Sequence, residues 1–389
     1  MKKLFYLLLM LFPVTTFSQL QSLMNIKTWA YQLQGINIAQ IAADTSFDLI
    51  IIDYSIDGTD EGKFTPQEIT QIRNSGKKVI SYLSIGEAED YRYYWQSSWS
   101  TSPPSWLGPE NPDWAGNYKV RFWDPQWQSI IFSYVDTIIA QGFDGIYMDI
   151  VDAYYYWMVD NPEEPYADTL MMNYIENIRS HITSVTGNTD FIMIPQNAED
   201  IINSDNVDAS QKAAYFNTIN ACGVEDVFCY GGLDEDNPFN PDTYRIGQLQ
   251  EWLSNSKQVF SIEYLTQPTL INQYITAAHA QNFVPYVCMR ALDQLCPGIP
   301  VGIVEFEKSK FSVMPNPSDG HFFIYGDFSG DVTISVYSHT GACLIQYQKS
   351  CSKAGEDGID IDISDFSEGF YYVKLQNENN TEVFKIFLY

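Results

Sequence analysis

Gly142-Phe143-Asp144-Gly145-Ile146-Tyr147-Met148-Asp149-Ile150-Val151-Asp152 reads as one buried strand with carboxylates at its exit. Ile146, Tyr147, Met148, Ile150 and Val151 favour a strand, and two glycines with an aspartate mark the turn into it. The segment 126–141 just before it is helical by pattern. There Trp127, Ile130, Ile131, Tyr134, Val135, Ile138 and Ile139 recur at the spacing of one helix face. Asp124 can cap that helix, Pro125 suits its first position and Gly142 stops it. Helix, tight turn, buried strand and exit carboxylates form the repeating unit of a βα-barrel, a fold whose chemistry sits at the carboxyl ends of the strands.

The same rhythm extends in both directions. Strands are predicted over 28–33, 48–54, 78–86, 144–151, 191–196, 223–229, 259–265 and 284–289. Helices are predicted between them, among others over 66–75, 168–185, 242–253 and 269–281. Thr65 and Glu68 stand in capping-box spacing before the first of these. Eight alternating units predict a closed parallel (β/α)8 TIM barrel over residues 25–296, each strand buried on both faces. A doubly wound open sheet is the alternative, but no Gly-x-Gly-x-x-Gly follows the first strand. The stretch 87–124 is too long for a plain connector and is rich in Trp and Tyr, Trp95 among them. It is expected over the carboxyl mouth, as a binding loop or as a loop packed on itself. Pro297-Gly298-Ile299-Pro300 opens a linker over 297–306. From 307 to 389 the pattern changes to short alternating strands, predicted over 322–325, 332–337, 371–375 and 383–388, as in a small all-β sandwich.

A net charge of −28 makes nucleic acid a poor partner and would draw a cationic one. Residues 1–18 read as a secretory signal: Lys2 and Lys3, then an apolar run, then small residues at a cleavage position. No later segment is long enough to span a membrane. Six cysteines in an exported chain permit three disulfides, in any of fifteen connectivities, and Cys343 with Cys351 is expected to pair across a hairpin. Four scattered histidines without His-Glu-x-x-His give no expectation of a metal or cofactor.

The predicted strand exits collect Tyr31 and Gln32, Asp53 and Tyr54, Ser84 and Glu87, Asp149 and Asp152, Gln196 and Asn197, Glu225, Glu263 and Tyr264, and Arg290. A cup of carboxylates, amides and tyrosines suits glycoside hydrolysis. Two carboxyl groups suffice there: one protonates the leaving oxygen, the other attacks the anomeric carbon or activates water. Trp95 and Arg121 from 87–124 complete the candidate substrate-binding set. Asp144, Asp226 and Glu89 read instead as caps or surface ion pairs.

Several motifs together carry a family resemblance over 28–296. They are Trp29-Ala30-Tyr31-Gln32-Leu33-Gln34, Asp48-Leu49-Ile50-Ile51-Ile52-Asp53-Tyr54, the run 79–91, Val120-Arg121-Phe122-Trp123-Asp124-Pro125, the opening stretch, and Gly223-Val224-Glu225. In these the chain resembles glycoside hydrolase family 114, the endo-α-1,4-polygalactosaminidase-like barrels. The resemblance implies that Asp149 and Glu225 are the paired catalytic acids. By analogy with barrels acting on α-linked galactosides, Asp149 would be nucleophile and Glu225 acid/base, with the proton expected on Glu225 near neutral pH. The implied substrate is an α-1,4-linked galactosamine-rich polysaccharide, cut internally. A hydrolase of another α-linked polysaccharide and a non-catalytic surface glycan-binding barrel are the alternatives. Met314-Pro315-Asn316-Pro317 with Gly320, the run 332–341, Glu368-Gly369-Phe370-Tyr371-Tyr372-Val373 and the last strand resemble the type IX secretion sorting domain. Met314 stands where Tyr is common there, and Ala342 where a basic residue is common. This second resemblance implies the type IX machinery as partner and a secreted or cell-surface location.

Overall fold

The computed structural model describes residues 22–187, 190–298, 311–326, 330–338, 342–351, 358–376 and 381–389. The expected signal at 1–18 and the linker from 299 onward lie outside the described residues. The chain divides into two compact units, Met1–Pro300 and Val301–Tyr389.

The first unit is a parallel barrel of eight strands: β1 (Trp29–Gln32), β2 (Leu49–Ile52), β3 (Lys78–Ser84), β4 (Gly145–Asp149), β5 (Ile192–Pro195), β6 (Ala221–Glu225), β7 (Gln258–Tyr264) and β8 (Val284–Cys288). Strands β1 to β5 pair in sequence order, and β6, β7 and β8 do the same. A parallel bridge from Gln196 to Gly223 joins β5 to β6. At the other seam the Trp29 indole donates to the Val284 carbonyl at 2.9 Å, and the N–H groups of Leu33 and Gln34 both donate to Leu292 O. The barrel floor is aromatic. Trp29 packs against Tyr31, Tyr147, Phe260 and Tyr286 with ring centroids 5.5–6.4 Å apart. Gly223 is required at this level, because a Cβ there would meet the Tyr147 hydroxyl oxygen at 2.0 Å.

The helices form where local chemistry starts and stops them. Pro66–Arg73 opens on a complete Thr65/Glu68 capping box. Pro125–Gln141 has Asp124 accepting from Gln126 N–H and ends on Gly142 in the left-handed conformation, φ 88°. Ala167–Thr186, Thr243–Ser254 and Pro268–Ala280 complete the outer layer where the sequence period places them.

The excursion after β3 folds as a three-stranded antiparallel sheet, with Asn117–Val120 between Glu87–Glu89 and Leu107–Glu110. Most of its aromatics pack on each other and on the helix after them. Trp95 lies 4.8 Å from Tyr118 and 5.2 Å from Trp99, and the chain of rings continues through Trp106 to Trp127. Its inner edge supplies Glu87, Glu89, Tyr91, Arg92, Trp114 and Asn117 to the mouth of the barrel.

The strand ladders described in the second unit are antiparallel, with an isolated parallel bridge from Ser318 to Leu388. A three-stranded sheet has His321–Gly326 at its centre, and a four-stranded sheet has Gly330–Ser338 and Gly369–Gln376 at its centre. Phe322, Ile324, Ile334, Val336, Val373 and Ile386 fill the space between them. The expected Cys343–Cys351 bridge is corrected here. Both residues belong to one continuous strand, Cys343–Cys351, and Cys343 is an exposed free thiol. Eight residue steps of extended chain separate them by roughly 27 Å, far beyond disulfide reach. The disulfide that does form joins Cys288 to Cys296, with Cα atoms 5.5 Å apart; Cys222 and Cys229 are buried free thiols.

Candidate active site

Asp149 is the last residue of β4, and Glu225 is the last residue of β6. Both open into one cavity of about 700 Å³ at the carboxyl end of the barrel. Each carboxylate is held by donors from neighbouring strands. Asp149 Oδ2 accepts from the Tyr82 hydroxyl at 2.8 Å, and its Oδ1 accepts from the Ile150 N–H at 2.8 Å. Glu225 Oε1 accepts from Asn197 Nδ2 at 2.7 Å, and its Oε2 accepts from the Tyr264 hydroxyl. Asn197 closes the pairing by accepting from Glu225 N–H at 3.0 Å.

The cavity is strongly acidic. Asp53, Asp57, Glu87, Glu89, Asp149, Asp152 and Glu225 line it, against Arg92 and Arg290. Arg92 is buried and spent within the protein: it donates to both Asp53 oxygens at 2.9 and 2.7 Å and to Glu89 at 2.6 Å. Burial pushes the Asp149 carboxyl up to about 8, and the Glu225 carboxylate adds to the rise; the Tyr82 and Ile150 donors oppose it. Asp152 is open to water yet ringed by protein. That desolvation, and then Glu225 and Glu87, push it up to about 7. Glu87 is raised by burial against the opposing effect of Lys119, 3.3 Å away.

Eleven of the residues singled out in the sequence meet in this cavity: Tyr31, Asp53, Ser84, Glu87, Asp149, Asp152, Gln196, Asn197, Glu225, Tyr264 and Arg290. Five do not. The Gln32 amide donates to the carbonyls of Gln34 and Gly35, tying down the turn after β1. Tyr54 is buried against Tyr134 at 4.7 Å, with its hydroxyl on Gly58 O. Glu263 is fully buried and accepts from the N–H groups of Phe228 and Cys229. Trp95 belongs to the aromatic chain of the excursion. Arg121 pairs with Glu163 at 2.7 Å over the Trp157 ring. Tyr82, Arg92 and Trp114 line the cavity without having been singled out, and Glu89, expected as a cap or surface ion pair, is instead buried there on Arg92. Tyr82 could have been found by parity, since it lies two residues before Ser84 on the same strand face. Arg92 offers only its spacing from Glu89, three residues before it, because its other partner, Asp53, is 39 residues away.

A second cavity of about 530 Å³ adjoins the first and shares Glu87, Ile150, Asp152, Asn197 and Glu225 with it. Tyr155 and Tyr244, both more than half exposed, stand on its walls. Glu225 therefore lies where two open spaces meet, and Asp149 faces the first of them.

Comparison with known proteins settles the family. A profile of the glycoside-hydrolase family GH114 matches residues 15–299. The chain belongs to family GH114. An uncharacterized protein of Methanocaldococcus jannaschii is 40% identical over 281 residues, spanning 70% of this chain and 79% of that one. An uncharacterized protein of Deinococcus radiodurans is 35% identical over 290 residues, 73% of this chain and 87% of the relative. Among solved structures, the glycoside hydrolase domain of PelA from Pseudomonas aeruginosa superposes with a TM-score of 0.51 at 12% identity, covering 69% of this chain and 97% of that domain. Aspergillus fumigatus Ega3, solved in complex with galactosamine, gives 0.51 at 17% identity, covering 69% and 95%. These two likenesses show the fold. The GH114 unit is thus a glycoside hydrolase domain with a glycan as its substrate. Residues 312–388 match the secretion system C-terminal sorting domain, which marks the chain for type IX export, to release or to attachment at the cell surface.

Proposed function

We propose that the GH114 unit cleaves an α-1,4-linked, galactosamine-rich polysaccharide at internal bonds, with Asp149 as nucleophile and Glu225 as acid/base. The observation that carries this is the carboxylate pair at the exits of β4 and β6, opening into one acid-lined cavity. Seven carboxyl groups against two guanidinium groups favour a sugar bearing free ammonium groups over a neutral one. A second open space that continues from the first past Glu225 suits a polymer that enters and leaves the site, as internal cleavage needs.

In the first step Asp149 attacks the anomeric carbon while Glu225 gives its proton to the departing glycosidic oxygen. In the second, Glu225 takes a proton from water, and the water oxygen displaces Asp149 from the sugar. The Tyr82 hydroxyl and the Ile150 N–H sit on the two oxygens of Asp149 and steady the charge that returns there. The sequence expectation put the proton on Glu225 in the free enzyme. Burial raises the Asp149 carboxyl to about 8, and catalysis uses the form in which Asp149 is ionised and Glu225 carries the proton.

The test is reducing-end release from partially deacetylated α-1,4-galactosamine polymer, set beside its fully N-acetylated form and a neutral α-galactan. Asp149→Asn and Glu225→Gln should fold and each lose about 10²–10⁴-fold in kcat. Wild-type rates in both variants would refute the assignment. Tight binding of the polymer without cleavage by the wild-type chain would leave a glycan-binding barrel. NMR of the first-formed anomer reads the roles: retention fits Asp149 as nucleophile, and inversion would make it a general base.

A further inference from the structure

We propose that Arg290 is a positioning residue for the acid/base Glu225, acting through Tyr264 and Asp226, and that the Cys288–Cys296 disulfide holds the loop carrying it; this rests on the assignment of Glu225 made above.

The ends of β7 and β8 face each other in register, Tyr264 against Cys288. The chain leaves β8 at Cys288 and comes back to it through the disulfide at Cys296. Within this loop Leu292 N–H donates to Met289 O, and Leu292 O accepts from Leu33 and Gln34, which ties the loop to the exit of β1. Arg290 projects from the fixed segment. Its Nη1 and Nη2 donate to the two Asp226 oxygens, each at 3.0 Å, and its Nε donates to Asp234 O at 3.0 Å. The guanidinium carbon lies 4.1 Å from the centre of the Tyr264 ring, and the Tyr264 hydroxyl donates to Glu225 Oε2. With its fork closed on Asp226 and its face on a phenol ring, Arg290 is occupied by protein, and its role differs from the substrate contact expected of a strand-eight exit residue.

A cation over the phenol face makes the hydroxyl a stronger donor and favours negative charge on the carboxylate that accepts from it. Glu225 acquires that charge when it gives up its proton to the leaving oxygen. The groups that face it are Asp149 and Asp152 from the exit of β4, Tyr31, Tyr147 and Tyr264 from β1, β4 and β7, and Arg290 from the β8 loop. Arg245 lies behind it, donating to its backbone carbonyl at 3.0 Å. Arg290 is thus the cation set against the two aspartates on the side-chain face of Glu225.

The experiment measures the pH profile of kcat/KM for wild type, R290Q, R290K, Y264F, R290Q/Y264F and E225Q, using reducing-end release from the partially deacetylated polymer. Loss of the cation favours protonated Glu225, so in R290Q the alkaline limb should move up by about half a pH unit or more. Its kcat should fall about tenfold or more, the reach of an impaired acid/base step, with KM held within about twofold. R290K keeps the charge but cannot fork onto Asp226, so its limb should stay at the wild-type position while kcat falls. In Y264F the path is already cut, so adding R290Q should lower kcat less than it does in the wild-type background. A profile of R290Q that superimposes on wild type, or full additivity in the double variant, overturns the proposal. Should R290Q not fold, R290K decides: an unchanged kcat overturns it. The E225Q arm keeps the two claims apart. Wild-type turnover in E225Q sinks the catalytic assignment itself, whereas an inactive E225Q beside an unaltered R290Q sinks this inference alone.

Discussion

Asp149→Asn is expected to make the barrel more stable at pH 8 while ending turnover. Its carboxyl is raised from 3.8 to about 8 in the folded chain, first by burial and then by Glu225. Between those two values the folded state holds more protons than the unfolded state, so stability falls as pH rises through the window. The full shift of about four pH units corresponds to roughly 5–6 kcal/mol. The cavity is open to water on one side, and screening reduces this to about 1–3 kcal/mol. An asparagine leaves no partner stranded, since its oxygen can accept from Ile150 N–H and its amide can donate to the Tyr82 hydroxyl. At roughly 2–4 °C per kcal/mol, the variant should melt about 2–12 °C above wild type at pH 8. The assay is thermal unfolding of both full-length chains at pH 4 and pH 8, followed by circular dichroism or calorimetry. The gap should close toward pH 4, where the folded wild-type carboxyl is neutral and the unfolded one is only about half ionised, so little of the penalty remains. A variant that melts with or below wild type at pH 8, or a gap unchanged at pH 4, refutes the electrostatic burden assigned to Asp149.

Asp152 is raised to about 7, so it is charged above that pH and neutral well below it. Asp152→Asn should raise KM for the free-amine polymer at pH 8, little at pH 5.5, and not at all for the N-acetylated polymer, as initial-rate kinetics at the two pH values would show. Trp95→Ala removes a ring packed between Trp99 and Tyr118 and should lower stability by about 2–4 kcal/mol with KM unchanged, read by denaturant titration beside kinetics. Trp114→Ala should do the reverse, raising KM several-fold with the melting temperature unmoved, because that ring is 57% exposed on the cavity wall. Replacing Cys288 and Cys296 by serine opens a loop with a sequence separation of 8 and should lower stability by about 2–3 kcal/mol, measured in urea under oxidising conditions.

The barrel was legible because its strands are short apolar runs and most are followed by a helix of clear apolar period. Which side chain of an exit pair faces the mouth was not. A parallel barrel strand is buried on both faces, so hydrophobicity gives no sign of parity. At three exits the sequence offers two polar neighbours, and the strand's period of two sends one inward and one outward. Tyr31 lines the cavity while Gln32 secures a turn; Asp53 lines it while Tyr54 packs on Tyr134; Tyr264 lines it while Glu263 is capped by backbone N–H groups. Applying alternation within each strand would have separated these pairs. The excursion divides in a similar way, its aromatics giving a packed rib and its inner edge giving Trp114 and Arg92 to the site. Composition alone cannot make that division, since indole rings serve both ends. Asp144, read as an ion-paired surface acid, does pair with Arg73 at 3.1 Å. Glu89, read the same way, is buried on Arg92 inside the cavity.

Alternation fails at three places, and those places are the site. Ile150 and Asp226 directly follow the last residues of β4 and β6, Asn197 follows Gln196 at the bridge beyond β5, and each has a left-handed backbone, with φ of 56°, 55° and 58° respectively for Ile150, Asp226 and Asn197. Asparagine and aspartate tolerate this region; a β-branched isoleucine does so only when its surroundings leave no choice. Those surroundings are visible. The Asp149 carbonyl is held by Ile85 N–H at 3.0 Å, and the Ile150 N–H is turned onto the Asp149 carboxylate. A Cβ on Gly86 would stand 2.0 Å from the Ile150 carbonyl oxygen, so only glycine admits the turn. The reversed turn lets Gln196 and Asn197 both reach the mouth, and at the end of β4 it aims the Ile150 N–H at the acid that precedes it. Each such residue costs about 1–3 kcal/mol, and like-charged carboxyls at the mouth add to that. Both are offset by the aromatic and aliphatic floor beneath, where Trp29, Tyr147, Phe260 and Tyr286 are almost wholly buried. Strain and charge at the carboxyl end, and apolar burial below it, are therefore two parts of one arrangement: the floor supplies the stability that lets the exits of β4 and β6 hold their acids in place.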